Sequence, residues 1–404
     1  MAGPTRRTFF TFLGVAGALR GEWTQWRGPE RDGHSTESGL AASWPTSGPK
    51  LLWKSESLGA GYASYSFSDG RIITQGQADG RQFVIALNEA DGKQLWRTDS
   101  GTAFSERRGN GPRGTPTIDG ERVYAENGQG VLVCLNAADG KKLWSIDLLK
   151  TFGASNIRWG MSESPLVDGE KLIVQPGGTK ASIVALNKAD GSVIWKSGSD
   201  RAGYSSVIVV EAAGVRQYIT LTASAAVGVR ASDGKELWRY GKVSNRTANV
   251  ATPVFHNDHV FVSSDYGTGC ALLKLRAEGD GVVAEEVYFN RDMKNHYSSS
   301  VLIGDYLYGY SSRILTCMQL GTGEVLWRDR SVGKGQVIVA DGKLYLLGED
   351  GVVGLAVPEP GGYREISRFD IGRGNFPTWT LPAISGSKLY LRDQEMLSCY
   401  DVRA

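Results

Sequence analysis

The chain has 404 residues, a formal net charge of +2, 53 glycines, 11 tryptophans and 16 tyrosines. That length supports a large core or a repeat array, and so small a net charge creates no global basic field, so nucleic acid is not an expected partner. Abundant glycine and aromatic residues with few helix-period runs point to many short strands joined by tight turns.

The chain begins with Thr5-Arg6-Arg7-Thr8-Phe9-Phe10, an apolar stretch to Leu19 and a small-residue cut at Ala16-Gly17-Ala18. This pattern reads as a signal peptide over residues 1–18, with a paired arginine of twin-arginine type, and predicts a periplasmic or otherwise exported protein. The apolar run is shorter than the about 20 residues a bilayer span needs, and no transmembrane segment is expected. No cysteine follows it to carry a lipid anchor. Residues 19–49 form an arm rich in Trp, Pro and Gly, with Pro29, Pro45 and Pro49 arguing against regular structure. Trp23, Trp26 and Trp44 are expected to pin it across the folded body.

From residue 50 to 404 the chain reads as one domain built on a single hairpin. It appears as ALNEADGKQLW (86–96), CLNAADGKKLW (134–144), ALNKADGSVIW (185–195), GVRASDGKELW (228–238) and CMQLGTGEVLW (317–327). Each copy is a strand end, a turn carrying Asp-Gly or Thr-Gly, and a second strand ending in Trp; Asp-Gly is a strong hairpin signal because Gly accepts φ > 0. Leu273–Phe289 and Gly354–Phe369 are degenerate copies. Counting the strand pairs that precede the hairpins gives eight units of four strands, with an internal period of two. The chain stops on Leu397–Val402, which lacks a Trp strand, and starts after the arm on LLWKSES (51–57), a Trp strand without predecessors. The two ends complement each other, as ring closure requires. The expected fold is an all-β, eight-bladed β-propeller sealed by its N-terminal strand. The expected state is a monomer. Cys134, Cys270, Cys317 and Cys399 form no C-x-x-C pair, so they read as buried thiols and no metal site is expected from them.

The hairpin resembles the pyrroloquinoline-quinone-like (PQQ-like) β-propeller repeat, whose Trp residues dock each blade on its neighbour. Trp53, Trp96, Trp144, Trp195, Trp238 and Trp327 match that position, and the arm W-x-Q-W-R-G-P-x-R-D-G (23–33) resembles the start of exported bacterial members. The resemblance implies one of two functions. Quinoprotein dehydrogenases of this family hold PQQ and calcium in the central funnel. The propeller lipoprotein of the outer-membrane β-barrel assembly machinery binds proteins and carries no cofactor. This chain lacks the adjacent cysteines of the alcohol-oxidising quinoproteins and any C-x-x-C-H haem motif.

In a propeller the loops leading into the innermost strands ring the mouth of the channel. Here they supply Arg107, Arg108, Arg113, Arg158, Trp159, Glu163, Tyr204, Arg246, Asn249, His296, Tyr297, Gln336, Asn375 and Trp379. Aromatic faces with Arg donors suit a planar anionic ligand, such as a quinone carboxylate or a sugar acid. His296 is a candidate general base, and Glu163 with Asn156 or Asn249 a candidate source of calcium oxygens. The expected function is binding of a protein, another macromolecule or a small polar ligand at the funnel. A PQQ-dependent oxidoreductase is the alternative, and carbohydrate binding or cleavage a third option.

Overall fold

The computed structural model of the protein describes residues 23–404; the expected signal peptide lies outside the described residues. Eight four-stranded antiparallel sheets are strung in chain order as blades of a propeller. Blades 1 to 7 occupy residues 66–102, 117–147, 166–197, 208–240, 254–290, 301–329 and 335–370. Blade 8 takes Ala383–Ser385, Lys388–Asp393 and Met396–Asp401 from the C-terminal end, and Lys50–Ser55 completes it as the outermost strand. The seam pairs Lys50 with Asp401, Trp53 with Cys399 and Ser55 with Leu397.

Within a blade the strands run from the channel outwards, and burial follows. The first strand of blade 2, Thr117–Asp119, is largely buried, whereas its last, Lys142–Asp147, alternates exposed and half-buried positions. The Asp-Gly hairpins close differently from the two-residue turn that the sequence suggests. Asn88 N–H donates to Lys93 O, and Gly92 N–H to Asn88 O, so the loop is longer. Only Gly92 is left-handed there, while the Asn88 and Asp91 side chains accept from Ala90 and Lys93 N–H. True two-residue Asp-Gly turns, with both residues at positive φ, lie at Asp69-Gly70, Asp79-Gly80 and Asp341-Gly342.

The docking tryptophans work through those longer loops. The indole N–H of Trp96 donates to Ala137 O of the next blade at 3.1 Å, and its ring covers Gly140, where a Cβ would lie 2.5 Å away. Trp53, Trp144, Trp195 and Trp327 reach Glu89 O, Lys188 O, Ala231 O and Glu359 O in the same way. Trp238 departs from this pattern. Its indole folds over Gly228 of its own blade and donates to Gln217 Oε1 at 2.7 Å. The cause is readable: the residue paired with Trp is Ala86, Cys134, Ala185, Cys317 or Cys399 elsewhere, but Gly228 here, and only glycine leaves room. In blade 5 Tyr288 replaces the missing Trp, donating to Leu320 O at 2.9 Å and packing on Gly323. All four cysteines are free and buried.

The arm does more than cross the body. It enters the channel and is tied at or just before the innermost strand of every blade. Trp23 O and Thr24 O accept from Phe67 and Ile118 N–H in blades 1 and 2. Arg31 donates to Ser164 O and Pro165 O at blade 3 and to Val207 O at blade 4. Trp26 donates to Thr252 Oγ1 at blade 5, and Arg27 to Ser300 O at blade 6. Ser35 N–H donates to Val339 O of blade 7 and its hydroxyl to Ile384 O of blade 8. Trp23 and Trp44 are buried in a core shared with blades 1, 7 and 8. The channel is therefore plugged by its own chain.

A candidate anion-binding cup

Above the plug the loop face encloses a cavity of about 400 Å³. Trp26 of the arm is on its wall, so the arm closes the channel beneath it. The loops leading into the innermost strands contribute most of the rest. Gly109 and Gly111 at positive φ let the 104–115 loop fold tightly against Tyr62 and Ala60, which sets Arg113 beside Tyr62. Tyr62 Oη donates to Arg108 O at 2.5 Å, and Tyr297 Oη to Lys334 O at 3.2 Å, so the rings hold the loops that carry the cations.

The rings form two groups. Tyr62 and Tyr297 flank Trp379 with centroids at 5.3 and 5.4 Å, and His296 lies 6.4 Å from the same indole. Trp159 and Tyr204 pair at 5.8 Å. Three of the four cations lean on rings. The Arg158 guanidinium lies 5.0 Å from Trp159, Arg113 4.6 Å from Phe104 and 5.6 Å from Tyr62, and Lys334 Nζ 5.2 Å from Tyr297 and 5.7 Å from Trp379. Such contacts hold a cation at a ring without neutralising it. Arg108 completes the four, and no Asp or Glu lies on the wall. The nearest counter-charge is Glu349, 3.4 Å from Lys334 and accepting from Trp379 Nε1.

Electrostatics follow from burial among like charges. Desolvation lowers Arg113 to about 10 and pushes Lys334 down, Glu349 partly offsetting the latter. Burial and the Lys334 charge depress His296 to about 4. His296 meets Tyr266 Oη at 3.1 Å and no carboxylate orients it. A base whose protonated form is so disfavoured accepts protons poorly, so the imidazole serves as a neutral hydrogen-bonding group.

Of the residues singled out from sequence, Arg108, Arg113, Arg158, Trp159, Tyr204, His296, Tyr297 and Trp379 line the cup. The others do not. Arg107 and Asn375 are exposed and off its wall. Arg246 lies in an adjoining groove. Asn249 is a buried loop brace, donating to Thr222 O and accepting from Asn245 N–H, and Gln336 donates to Trp379 O behind the cavity. Glu163 is buried, accepting from Gln175 N–H and facing Glu126 and Arg31. Tyr62, Tyr266, Lys334 and Trp26 were not anticipated. Tyr266 comes from a strand-pair turn rather than a lead-in loop, and Trp26 reads as an anchor until the arm is seen in the channel.

The calcium that the resemblance implies does not fit these residues. The cup wall carries cations and no carboxylate, and among the described residues no three His, Cys, Asp or Glu gather as a metal cluster. Asn249 Oδ1 is taken by Asn245 N–H, while Asn156 reaches Gly128 O and Gln129 Oε1 through Nδ2. The carboxylates of a quinone would match the cationic walls, but a divalent ion would find no carboxylate there.

Fold and site together define a PQQ-like β-propeller with its channel plugged from within and an aromatic, cationic cup above the plug. The family model described as outer membrane protein assembly factor BamB matches residues 80–329, more than half of the chain, so the chain belongs to that family. BamB from Moraxella catarrhalis superposes with a TM-score of 0.58 at 14% identity, over 84% of this chain and 94% of that one. Quinohemoprotein alcohol dehydrogenase from Comamonas testosteroni gives 0.66 at 11% identity, over 96% and 82%. Sqt1 from Saccharomyces cerevisiae gives 0.56 at 10%, over 91% and 100%. At these identities the likeness is one of fold alone. No curated protein sequence matches the chain. No helix of the described residues is long and apolar enough to cross a membrane.

Proposed function

We propose that the protein is an exported binding propeller that captures an anionic, ring-bearing group of its ligand or macromolecular partner in the cup. One observation carries this reading: four cations, three of them on aromatic rings, surround a plugged cavity whose wall holds no carboxylate. Each charge-assisted hydrogen bond to a bound anion contributes about 1.5–3 kcal/mol. Titration calorimetry of the full chain with benzene polycarboxylates and uronic acids, against their neutral amides, tests it. Saturable binding that weakens with salt is expected, and Arg113→Ala or Lys334→Ala should weaken it about ten-fold or more. Absence of saturable binding to every anion refutes it.

The dehydrogenase neighbour keeps a second reading alive, in which the cup takes a quinone carboxylate for an oxidoreductase. Calcium-dependent PQQ binding with dye reduction by alcohols or sugars would favour it. Calcium-independent binding without reduction would leave the first reading.

A further inference from the structure

The cup continues beyond its rim. Arg158, Tyr204, Thr247 and Ala248 belong to its wall and equally to a second cavity of about 470 Å³ on the same face. Arg201 and Arg246 are on the wall of this groove, which the lead-in loops of blades 3 to 5 build. Both guanidinium groups are exposed, and the neighbouring Asp200 is held by Arg239 at 2.8 Å. Like the cup, the groove has no Asp or Glu on its wall. One acid-free surface therefore runs from the plug outwards over the disc face, although the chain as a whole is nearly neutral.

The composition of that surface restricts its occupant. In the cup, cation and ring come as pairs: Arg158 with Trp159, Lys334 with Tyr297 and Trp379, Arg113 with Tyr62. A matching ligand presents one ring face and one anion per unit. We infer that the occupant is an oligosaccharide of uronic-acid type, with its end residue in the cup and the following residues along the Arg201–Arg246 groove. The end pyranose offers its C–H face to the rings of the cup and its carboxylate to an adjacent cation, and the carboxylates of the following residues meet Arg201 and Arg246. An acidic peptide supplies charge but no ring for these faces, and a neutral glycan supplies rings but leaves the cations uncompensated. The inference rests on the anion-binding reading of the cup and adds the chain and its path.

The test is calorimetric titration of the full chain with galacturonate and mannuronate as monomers, trimers and hexamers. Their methyl-esterified forms and hexaglutamate serve as comparisons. Affinity should rise at least ten-fold from monomer to trimer and vanish on esterification. Arg201→Ala with Arg246→Ala should lower hexamer affinity about ten-fold, with an unchanged unfolding midpoint as the check on folding. Equal affinity for monomer and hexamer overturns the groove path while leaving the cup reading intact. Hexaglutamate binding as tightly as either hexamer overturns the saccharide class. Binding of none of these anions, with benzene polycarboxylates still bound, overturns the inference alone; failure of those too takes the cup reading with it.

Discussion

Two carboxyl groups buried between blades 2 and 3 make the stability of the ring fall as pH rises. Glu163 is 2% exposed and Glu126 1%; neither Glu126 oxygen nor Glu163 Oε1 has a hydrogen-bond partner. Burial raises Glu163 from 4.5 to about 8 despite Arg31 and the Gln175 N–H, and pushes Glu126 up as well, Glu163 adding to it. The folded protein thus keeps a proton that the unfolded chain releases above pH 4.5. With more protons on the native state, the slope of unfolding free energy against pH is negative, about 1.4 kcal/mol per pH unit per proton. For Glu163 the stability is full below pH 4.5 and its loss is complete above about 8, at most about 5 kcal/mol. A protein of this size shifts its midpoint by about 1 °C per kcal/mol, so the loss reads as up to about 5 °C. Glu163→Gln keeps the shape of the neutral acid and an acceptor for Gln175 N–H. The assay is thermal unfolding followed by tryptophan fluorescence from pH 5 to 9 for wild type and variant. The two curves should meet near pH 5 and separate towards pH 8, the variant being the more stable. Parallel curves, or a variant less stable than wild type at pH 8, would refute a buried, protonated Glu163.

The plug gives an effect of opposite sign: Arg31→Ala strands the Ser164 and Val207 carbonyls at blades 3 and 4, Thr117 Oγ1 still holding Pro165 O, and should cost about 3–5 kcal/mol, read from the unfolding midpoint. Gly140→Ala places a methyl 2.5 Å from the Trp96 ring at a backbone φ of +72°, and a loss of about 2–3 kcal/mol is expected in the same assay. Gly228→Ala should expel the Trp238 indole from its own blade, where the new Cβ would lie 2.1 Å from Nε1, and expose it to acrylamide quenching. Because His296 is depressed to about 4, it stays neutral from pH 5 to 8, and His296→Gln should leave the pH profile of anion binding unchanged over that range.

The fold was legible because its signals are local and repeated. An eleven-residue hairpin, a period of two and complementary ends specify eight blades and a seam between the 51–57 and 397–402 strands without knowledge of any contact; the register, Trp53 opposite Cys399, came from the structure. Even the exception was written in the chain, since Gly228 stands where other copies have Ala or Cys. The cup was half legible. The lead-in loops are identifiable by position, so Arg113, Arg158, Trp159 and Trp379 could be named. Sequence does not say which side of a loop faces the cavity, and so Asn249 and Gln336 turned out to be braces and Arg107 to point elsewhere. Tyr266 was hidden because a strand-pair turn on the same face contributes through a tyrosine held at φ 57°, a geometry no pattern announces.

The arm was least legible, because its partners lie in all eight blades and have no sequence period in common. Its physics is nonetheless coherent. A channel lined by short innermost strands presents main-chain carbonyls with no neighbouring strand to pair them, and such groups are costly unless satisfied. A peptide inserted there must bring donors, and Arg27 and Arg31 bring several each in one fixed fork. Both are held at positive φ, 62° and 58°, strain that stands only because carbonyls from blades 3, 4 and 6 clamp the guanidinium groups. The same segment leaves the channel past Gly386 and Ser387, which donate to Glu37, and becomes the outermost strand of blade 8. Plug and closing strand are therefore one continuous segment. The strand that seals the ring cannot pair until the C-terminal blade exists, and once it pairs, the arm is held beneath the cup it closes.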